Sequence, residues 1–302
     1  MTDAAFIAAL SARAARIEIY LTEALQGATL AGEIERPARL MAAIRHGVLN
    51  GGKRFRPFLV IETAGLFGAG EAQAMPVAAA LECVHCYSLI HDDLPAMDDD
   101  DLRRGQPTVH KAYDEAAAIL AGDSLLTFAF DLVTDRGNGL DGDARAELAN
   151  RLARAAGLGG MAGGQALDLA AATAPPDEDG VRMLQAMKTG ALIRFACEAG
   201  AILGNAASED VNRMRIYGET IGLAFQLADD LLDVTQTADR MGKATGKDDA
   251  AGKVTLVGLR GADWARKELD RLVAEAETLL EPFGPSGDTL RAAARFVAYR
   301  QS

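Results

Sequence analysis

The sequence is poor in cysteine, in aromatic residues and in positive charge, and these shortages exclude several classes of protein. Three cysteines among 302 residues cannot build a disulfide framework, which indicates a reducing compartment. The 31 basic residues are outnumbered by 43 acidic ones, giving a net charge of −12. Nucleic acids and anionic membranes both attract clustered positive charge. We therefore expect a cytoplasmic protein that has no nucleic-acid partner.

Long apolar runs and the alternating pattern of β-strands are also missing. No stretch approaches the roughly 18 uncharged apolar residues of a membrane helix, and the N-terminal segment lacks the basic-then-apolar order of a signal peptide. Hairpin dipeptides between β-branched runs are absent. Only KVTLVGL at 253–259 resembles a strand, and a helix is equally compatible with it. The sequence predicts no membrane insertion and almost no β-structure.

Alanine and leucine are abundant, and apolar residues recur at three- and four-residue spacing, which is typical of α-helices. The polar stretches at 136–145 and 173–180 have the length of ordinary connections, so no composition break divides the chain. We expect a single all-α domain over residues 1–302, built as a bundle of ten or more helices. The predicted helices lie near residues 4–28, 36–49, 54–68, 72–93, 111–135, 143–157, 161–172, 178–203, 208–236, 262–282 and 287–300.

An acidic cluster, HDDLPAMDDDDLRRG at 91–105, follows an apolar helix. Pro95 disfavours helical geometry at the preceding residue, so the helix should end near Asp93. The C-terminus of a helix already carries partial negative charge, so acids gathered there favour a bound cation. Carboxylate oxygens suit Mg²⁺, which binds through a few carboxylates together with substrate phosphates. A solvated acidic loop is the alternative interpretation.

A second acidic cluster, FQLADDLLD at 225–233, lies in an otherwise apolar segment. Asp229 and Asp233 are four residues apart, so their carboxylates project from one helix face. A buried carboxylate without a partner is costly, which argues against a purely solvated role. A neighbouring Lys or Arg could satisfy these acids. Alternatively, the two clusters could face one cavity and hold several Mg²⁺ ions around a diphosphate.

Both clusters belong to an ordered set of motifs. DDLPAMDDDDLRRG and GLAFQLADDLLD resemble the first and second aspartate-rich motifs of the trans-isoprenyl diphosphate synthases. The similarity runs from about residue 45 to 258 and is nearest to the bacterial farnesyl diphosphate synthases, which share the two extra residues within the first motif. The other matching segments are GGKRFRP at 51–57, ECVHCYSLIHDD at 82–93, GGQALDL at 163–169, KTGALI at 188–193 and GKATGKD at 242–248.

The resemblance implies an isoprenoid synthase fold, with helices around a deep central cavity, and a Mg²⁺-dependent prenyl transfer between isoprenoid diphosphates. An allylic diphosphate ionises, the double bond of isopentenyl diphosphate attacks the cation, and a proton is lost. Magnesium would stabilise the charge of the departing diphosphate. The resemblance also implies a homodimer and three Mg²⁺ ions per active site with substrate bound. The implied metal ligands are Asp92, Asp93, Asp98, Asp229 and Asp233.

The substrate-contacting residues are likewise assigned by resemblance, and their arginines and lysines suit phosphate oxygens. The implied isopentenyl diphosphate site consists of Lys53, Arg56, His85 and Arg104. The implied allylic diphosphate site consists of Arg103, Lys188, Thr189, Gln226, Lys243 and Lys253. The catalytic set is Arg103, Lys188, Thr189 and Gln226, in which the Thr hydroxyl and the Gln carbonyl would stabilise the cation. Arg300 is a further candidate to close over isopentenyl diphosphate.

Product length should depend on the helix that ends at the first cluster. Tyr87 lies five residues before Asp92, about 7–8 Å down that helix at 1.5 Å per residue. An aromatic residue there resembles the producers of the C15 farnesyl chain, and a C20 geranylgeranyl product is the alternative. A helical wheel places Ser88 more directly beneath Asp92. A tyrosine that only fills the core is the structural alternative.

Two other functions are compatible with an acidic motif. A class I terpene cyclase also uses Mg²⁺, but it has no second diphosphate for GGKRFRP and the paired arginines at 103–104 to bind. An inactive regulatory subunit would be expected to lose acids from one cluster, and both clusters are intact. The Cys83-Val-His85-Cys86 segment lacks a second ligand pair for zinc. The glycines of 157–164 lack a P-loop signature and suit close helix packing.

Overall fold

Helices form nearly all of the secondary structure in the computed structural model, which describes residues 1–241 and 254–300, without the side chains of 236–241. The predicted all-α class is confirmed. The helices are α1 (Asp3–Ala24), α2 (Ala38–Val48), α3 (Phe55–Leu66), α4 (Glu71–Asp92), α5 (Val109–Ala112), α6 (Glu115–Thr134), α7 (Gly142–Ala156), α8 (Met161–Ala171), α9 (Glu178–Gln185), α10 (Ala191–Leu203), α11 (Ser208–Met241), α12 (Leu256–Arg260), α13 (Ala262–Leu279) and α14 (Asp288–Tyr299).

Two predicted helices are interrupted in the structure. The helix predicted at 111–135 is divided into α5 and α6, because Asp114 has an extended backbone and its side chain caps α6, accepting from the Ala117 N–H at 2.7 Å. The helix predicted at 178–203 contains a π-helical turn, Ala186–Gly190, which separates α9 from α10. The strand-like segment after residue 253 forms the short helix α12.

The sequence did not predict one short hairpin that the structure contains. Two short strands, β1 (Leu102–Arg103) and β2 (Gln106–Pro107), pair antiparallel. The loop residues Arg104 and Gly105 both have positive φ, of 54° and 77°. Positive φ at both positions is required by the type I′ turn, one of the two common two-residue hairpin loops. The hairpin carries the two consecutive arginines that follow the first acidic cluster.

One continuous apolar core runs through the described chain, from Phe6 in α1 to Ala298 in α14. Helix α4 packs against both α3 and α6, and it is buried along most of its length, as its nearly unbroken apolar sequence requires. The first and last helices meet within this core. The ring of Phe6 lies 5.4 Å from that of Phe58 and 5.1 Å from that of Phe296, measured between centroids.

Glycines let α8 and α11 approach the π turn closely. A Cβ atom added to Gly164 in α8 would overlap the backbone nitrogen of Lys188, and one added to Gly222 in α11 would lie 3.0 Å from the Cα of Gly190. The close-packing interpretation of the glycine-rich segment is therefore confirmed for Gly164. The turn that carries Lys188 is fixed between two helices.

Helix α6 is, among the described residues, the one helix long and apolar enough to cross a membrane by length and composition. It packs against α4 and α2, and it carries Asp123 and Asp131. These two properties also belong to a helix in the core of a globular protein, so the sequence of α6 alone does not indicate a membrane span.

Candidate active site

Two cavities meet at the π turn. The first, of about 370 Å³, lies between α4, α8 and the turn, and the second, of about 190 Å³, lies between α8, α9 and α11. Lys188 and Thr189 line both cavities. Asp92 of the first acidic cluster lines the first cavity, and Asp230 of the second cluster lines the second. One acid of each cluster thus lines a cavity that shares this turn.

The first acidic cluster is divided between the cavity and the loop after α4. Helix α4 ends at Asp92, and the Asp98 N–H donates to the Asp92 carbonyl at 2.8 Å, which folds the loop back onto the helix. Burial raises the pKa of the Asp92 carboxyl to about 6, with a further contribution from the charge of Asp98. Asp93 is buried and accepts a hydrogen bond from Arg103 Nε at 2.7 Å. Asp92 therefore faces the cavity, whereas Asp93 faces Arg103.

In the second acidic cluster, the three acids have different surroundings. Asp230 is buried and accepts hydrogen bonds from Gln185 Nε2 at 2.8 Å and from Gln226 Nε2 at 3.0 Å. Burial raises its pKa. Asp229 is partly exposed and Asp233, one turn further along, is exposed. The cluster thus combines one acid held by amides with two acids nearer to solvent.

Asp229 forms an ion pair with Arg300, which follows the last helix. The Arg300 side chain is only 6% exposed. It donates to the Phe225 carbonyl at 3.1 Å, and its guanidinium lies 3.8 Å from the centroid of the Phe225 ring. The sequence suggested that Arg300 could close over isopentenyl diphosphate, and the structure places it on a predicted metal ligand.

The predicted catalytic residues of the π turn each have a partner across the cavity. Lys188 Nζ lies 2.6 Å from Asp168 Oδ2 of α8. The Thr189 hydroxyl donates to Gln226 Oε1 at 3.0 Å. Thr189 and Gln226, to which the resemblance assigns one role, are thus hydrogen-bonded to each other. The sequence interpretation missed Asp168, although it lies within the GGQALDL motif and a half-buried lysine needs a counter-charge.

The residues predicted to bind isopentenyl diphosphate gather around the GGKRFRP segment. Arg56 Nη1 donates to His85 Nε2 at 3.4 Å. Burial lowers the pKa of His85 well below its usual value, and the charges of Arg56 and Arg104 lower it further. His85 is therefore neutral, as an acceptor for Arg56 must be.

The remaining two residues of this set lie at the start of the same segment. Arg104 donates to the Gly51 carbonyl and to Asn50 Oδ1, the latter at 3.0 Å. A Cβ atom on Gly52 would lie 2.6 Å from Arg104 Nη1, so only glycine lets the guanidinium cover the backbone there. Burial lowers the pKa of Lys53, and the charge of Arg300 lowers it further. Arg56 and His85 line the first cavity, whereas Lys53 lines a different cavity together with Phe296 and Arg300.

Arg54, which the sequence interpretation passed over, has a structural role. Its side chain is 1% exposed and pairs with Glu82 of α4 at 2.6 Å and with Glu18 of α1 at 2.7 Å. Its φ is 47°, so this left-handed residue turns the chain into α3. Arg54 thereby positions Lys53 and Arg56, which flank it in the sequence.

Tyr87 and Ser88 both line the first cavity, as predicted for residues that control product length. The ring of Tyr87 lies edge to face with that of His91, at a centroid distance of 5.8 Å. A Cβ atom on Gly122 of α6 would overlap the His91 ring. Gly122 therefore leaves the space in which His91 supports Tyr87, a contact that has no sequence signal.

Some predicted residues do not take part in the described site. Lys243 and Lys253 lie outside the described residues. Cys83 and Cys86 are buried free thiols. Within residues 1–235 and 254–300, no three His, Cys, Asp or Glu side chains form a preassembled metal site.

Comparison with known proteins gives consistent results. A farnesyl diphosphate synthase from Escherichia coli is 46% identical over 244 residues, covering 80% of this chain and 82% of that protein. The chloroplastic geranylgeranyl pyrophosphate synthase 3 of Arabidopsis thaliana is 43% identical over 274 residues, covering 89% of this chain and 76% of that protein. The crystal structure of an FPP/GFPP synthase from Zymomonas mobilis superposes with a TM-score of 0.87 at 41% identity, covering 99% and 100% of the two chains.

A family model described as Polyprenyl synthetase matches residues 37–279, which include both acidic clusters and the π turn. The all-α fold and the relatives agree with this match. The chain therefore belongs to the polyprenyl synthetase family of prenyltransferases, which build isoprenoid diphosphates.

Proposed function

We propose that the protein joins dimethylallyl diphosphate, and then geranyl diphosphate, head to tail with isopentenyl diphosphate to give (2E,6E)-farnesyl diphosphate, with Mg²⁺ as cofactor. The observation that carries this proposal is the arrangement around the π turn. Lys188 and Thr189 lie between a cavity bordered by Asp92 and a cavity bordered by Asp230. Acids on both sides of one lysine suit a diphosphate held by divalent cations.

The acidic side chains fit Mg²⁺. Asp92 lines the first cavity and lies near the charge of Asp98, so a divalent ion held between the two carboxylates would neutralise both. Mg²⁺ commonly binds one or two carboxylates and completes its shell with phosphate oxygens and water, so a preassembled protein cage is not required. Asp92 and Asp98 would hold ions on one side, and Asp229 and Asp233 on the other. Asp93, also a predicted ligand, would have to exchange Arg103 for the ion.

Magnesium, when bound, would neutralise the charge of the departing diphosphate. The side chains of the chain itself would hold and orient the two substrates. Lys188 and Arg103 would contact the allylic diphosphate, and the Thr189–Gln226 pair would present its dipoles to the allylic cation. The predicted Lys243 and Lys253 would add to the same site.

Isopentenyl diphosphate would occupy the cationic region around GGKRFRP. Arginine guanidinium groups bind phosphate oxygens through two parallel hydrogen bonds, and lysine contributes a point charge. The departing diphosphate can accept the proton released after the new bond forms, so no separate general base is needed. The residues of this region are Lys53, Arg56, His85 and Arg104.

Among possible products, the position of Tyr87 favours the C15 chain. Its ring occupies the wall of the first cavity below Asp92 and is supported by His91. An aromatic ring there shortens the space for a growing chain. A C20 product is the alternative, supported by the 43% identity to a geranylgeranyl pyrophosphate synthase.

We also propose that the protein is a cytoplasmic homodimer. Ile119 and Leu120 of α6 are 45% and 55% exposed on a helix whose opposite side packs in the core. Adjacent exposed apolar side chains on one helix suit burial against a second copy of the chain. Sedimentation of the purified protein, with Leu120→Glu as the variant, tests this state. A wild-type monomer at micromolar concentration would contradict it.

The activity is tested by incubating purified protein with Mg²⁺, isopentenyl diphosphate and dimethylallyl diphosphate and sizing the products. We expect a C15 diphosphate and no product in the presence of a chelator. A terpene cyclase would instead consume farnesyl diphosphate without isopentenyl diphosphate, and an inactive subunit would form nothing. Asp92→Asn should slow turnover by about 100-fold or more, whereas Asp101→Asn, in an exposed pair with Lys111, should not.

A further inference from the structure

Gln165 in α8 has an amide group that is shielded from solvent and has no hydrogen-bond partner among the described residues. This holds for both Nε2 and Oε1. A shielded amide that makes no hydrogen bond destabilises a fold, because it loses its bonds to water without replacement. An apolar residue of the same size would suit the free protein better. The amide of Gln165 therefore does not stabilise the free protein, and its presence at this position needs another explanation.

The position of Gln165 points to a ligand. It lines the first cavity together with Asp92, Lys188 and Thr189. The neighbouring Gly164 packs directly on the backbone of Lys188, which fixes this turn of α8 against the π turn. This turn of α8 is thus held beside the residues that would surround the allylic diphosphate, with the Gln165 amide still shielded from solvent.

The other amide of the site is already occupied. Gln226 Oε1 accepts from the Thr189 hydroxyl at 3.0 Å, and its Nε2 donates to Asp230 at 3.0 Å. Gln226 also lines the second cavity, whereas Gln165 lines the first. In the described part of the first cavity, Gln165 therefore supplies the amide whose donor and acceptor are both unused.

We propose that Gln165 is a catalytic residue whose carbonyl oxygen, once the allylic substrate is bound, faces the allylic carbon on which positive charge develops. This proposal rests on the prenyl transfer proposed above. The C–O bond of the substrate breaks and its electron pair leaves with the diphosphate, while Gln165 forms no covalent bond and transfers no proton. A dipole fixed before reaction stabilises the developing charges without having to reorient.

The binding affinities of two ligands, one with a positively charged tail and one with a neutral tail, distinguish a catalytic role of Gln165 from a structural one. The variants are Gln165→Met and Gln165→Leu, and the matched control is Gln73→Met at the start of α4, about 29 Å along that helix from Asp92. The first probe is an ammonium analogue of the allylic cation, bound together with inorganic pyrophosphate and Mg²⁺. The second probe is a neutral-tailed thiolodiphosphate analogue of the allylic substrate, bound with Mg²⁺.

We expect both Gln165 variants to bind the ammonium analogue about 10- to 100-fold more weakly, the range for a hydrogen bond to a charged group. Affinity for the thiolodiphosphate should change much less. The kcat should fall with little change in either KM, and the Tm of the free protein should stay constant or rise. The Gln73→Met protein should match the wild type in every measurement.

The proposal would be overturned if both probes bound more weakly by the same factor. It would also be overturned if the Tm fell while the ratio of the two affinities stayed at the wild-type value. Either result would show that Gln165 has a structural role. Unchanged binding of the ammonium analogue by both variants would overturn it as well. Failure of the proposed function looks different, because the wild-type protein itself would then form no prenyl diphosphate.

Discussion

At the scale of single residues, Tyr87 shows how the structure changes the meaning of a sequence position. The sequence marked it by its distance from the first acidic cluster, and the structure adds its support. His91 contacts the Tyr87 ring and itself occupies the space beside Gly122. Two side chains and one glycine, from α4 and α6, thus form this part of the cavity wall.

Replacing Tyr87 with alanine should lengthen the product. Removing the ring extends the first cavity between α4 and α6, so chains of C20 and longer should form while incorporation of isopentenyl units continues. Chromatographic sizing of the products measures this effect. Tyr20→Ala, in α1 and away from this cavity, is the control and should leave product length unchanged. An unaltered product distribution from Tyr87→Ala would remove Tyr87 from this role.

Arg54 gives a prediction about stability. Arg54 and Glu82 are 1% and 2% exposed, so removal of the arginine leaves a buried carboxylate without its main partner. Arg54→Met should destabilise the fold by about 3–5 kcal/mol, and the double variant with Glu82→Leu should recover part of the loss. Urea unfolding measures both.

The control for that experiment is Arg271→Met. Arg271 is 55% exposed and pairs with Glu268 and Glu275 on the surface of α13. Exposed ion pairs contribute about 0–1 kcal/mol, so this variant should unfold near the wild-type midpoint. An equally small loss in Arg54→Met would contradict the buried-pair explanation.

At the scale of elements, the π turn is the feature on which the site depends. A π turn contains one residue more than an α-helical turn, and such turns occur mostly at functional sites. Deletion of Ala186 should convert the turn to regular helix while leaving α9 and α10 in their places. We expect a folded protein of nearly wild-type helicity that has lost most of its activity, because Lys188 and Thr189 no longer face both cavities.

Deletion of Ala199, in the regular helix α10, is the matched comparison. There the deletion rotates every following side chain by about 100°, so buried residues turn outward and the Tm should fall. Circular dichroism and the product assay distinguish the two deletions. Full activity after deletion of Ala186 would mean that the π geometry is dispensable.

The helices themselves were largely predictable, since their apolar periodicity is long and strong. Pro95 correctly placed the end of α4 within one residue of Asp92. The π turn was not predictable, because one extra residue hardly alters an apolar pattern. Asp114 is a residue type that often caps a helix, so it indicated a break before α6. The apolar periodicity on both sides of it favoured one continuous helix instead. The hairpin at Arg104 was missed because its strands are only two residues long.

At the scale of the whole molecule, the site is assembled from segments far apart in the chain. Its residues come from the start of α3, the end of α4, the hairpin, α8, the π turn and α11, with Arg300 after α14. Motif resemblance could identify most of these residues one by one. Their pairings, such as Arg300 with Asp229, depend on how the first and last helices meet in the core, which local sequence does not specify.

Arg300→Gln tests the most distant of these pairings. Removal of its charge should let the free protein bind Mg²⁺ more tightly at Asp229, because the ion no longer competes with a guanidinium. The Tm of this variant should then rise with added Mg²⁺, by roughly 2–4 °C for each kcal/mol of binding. Arg295→Gln, which removes the α14 partner of Glu277 in α13, should respond as the wild type does. Identical metal responses in all three proteins would contradict competition at Asp229.

The ion pair between Arg300 and Asp229 also bears on how the protein withstands metal starvation. Carboxylates left without metal ions would ordinarily repel one another and destabilise the packing of the helices around them. Here the chain carries an internal counter-ion, because Arg300 pairs with Asp229 at the proposed metal site. We therefore expect a chelator to abolish the activity of the wild-type protein without lowering its Tm. Added Mg²⁺ should then restore the activity without a refolding step.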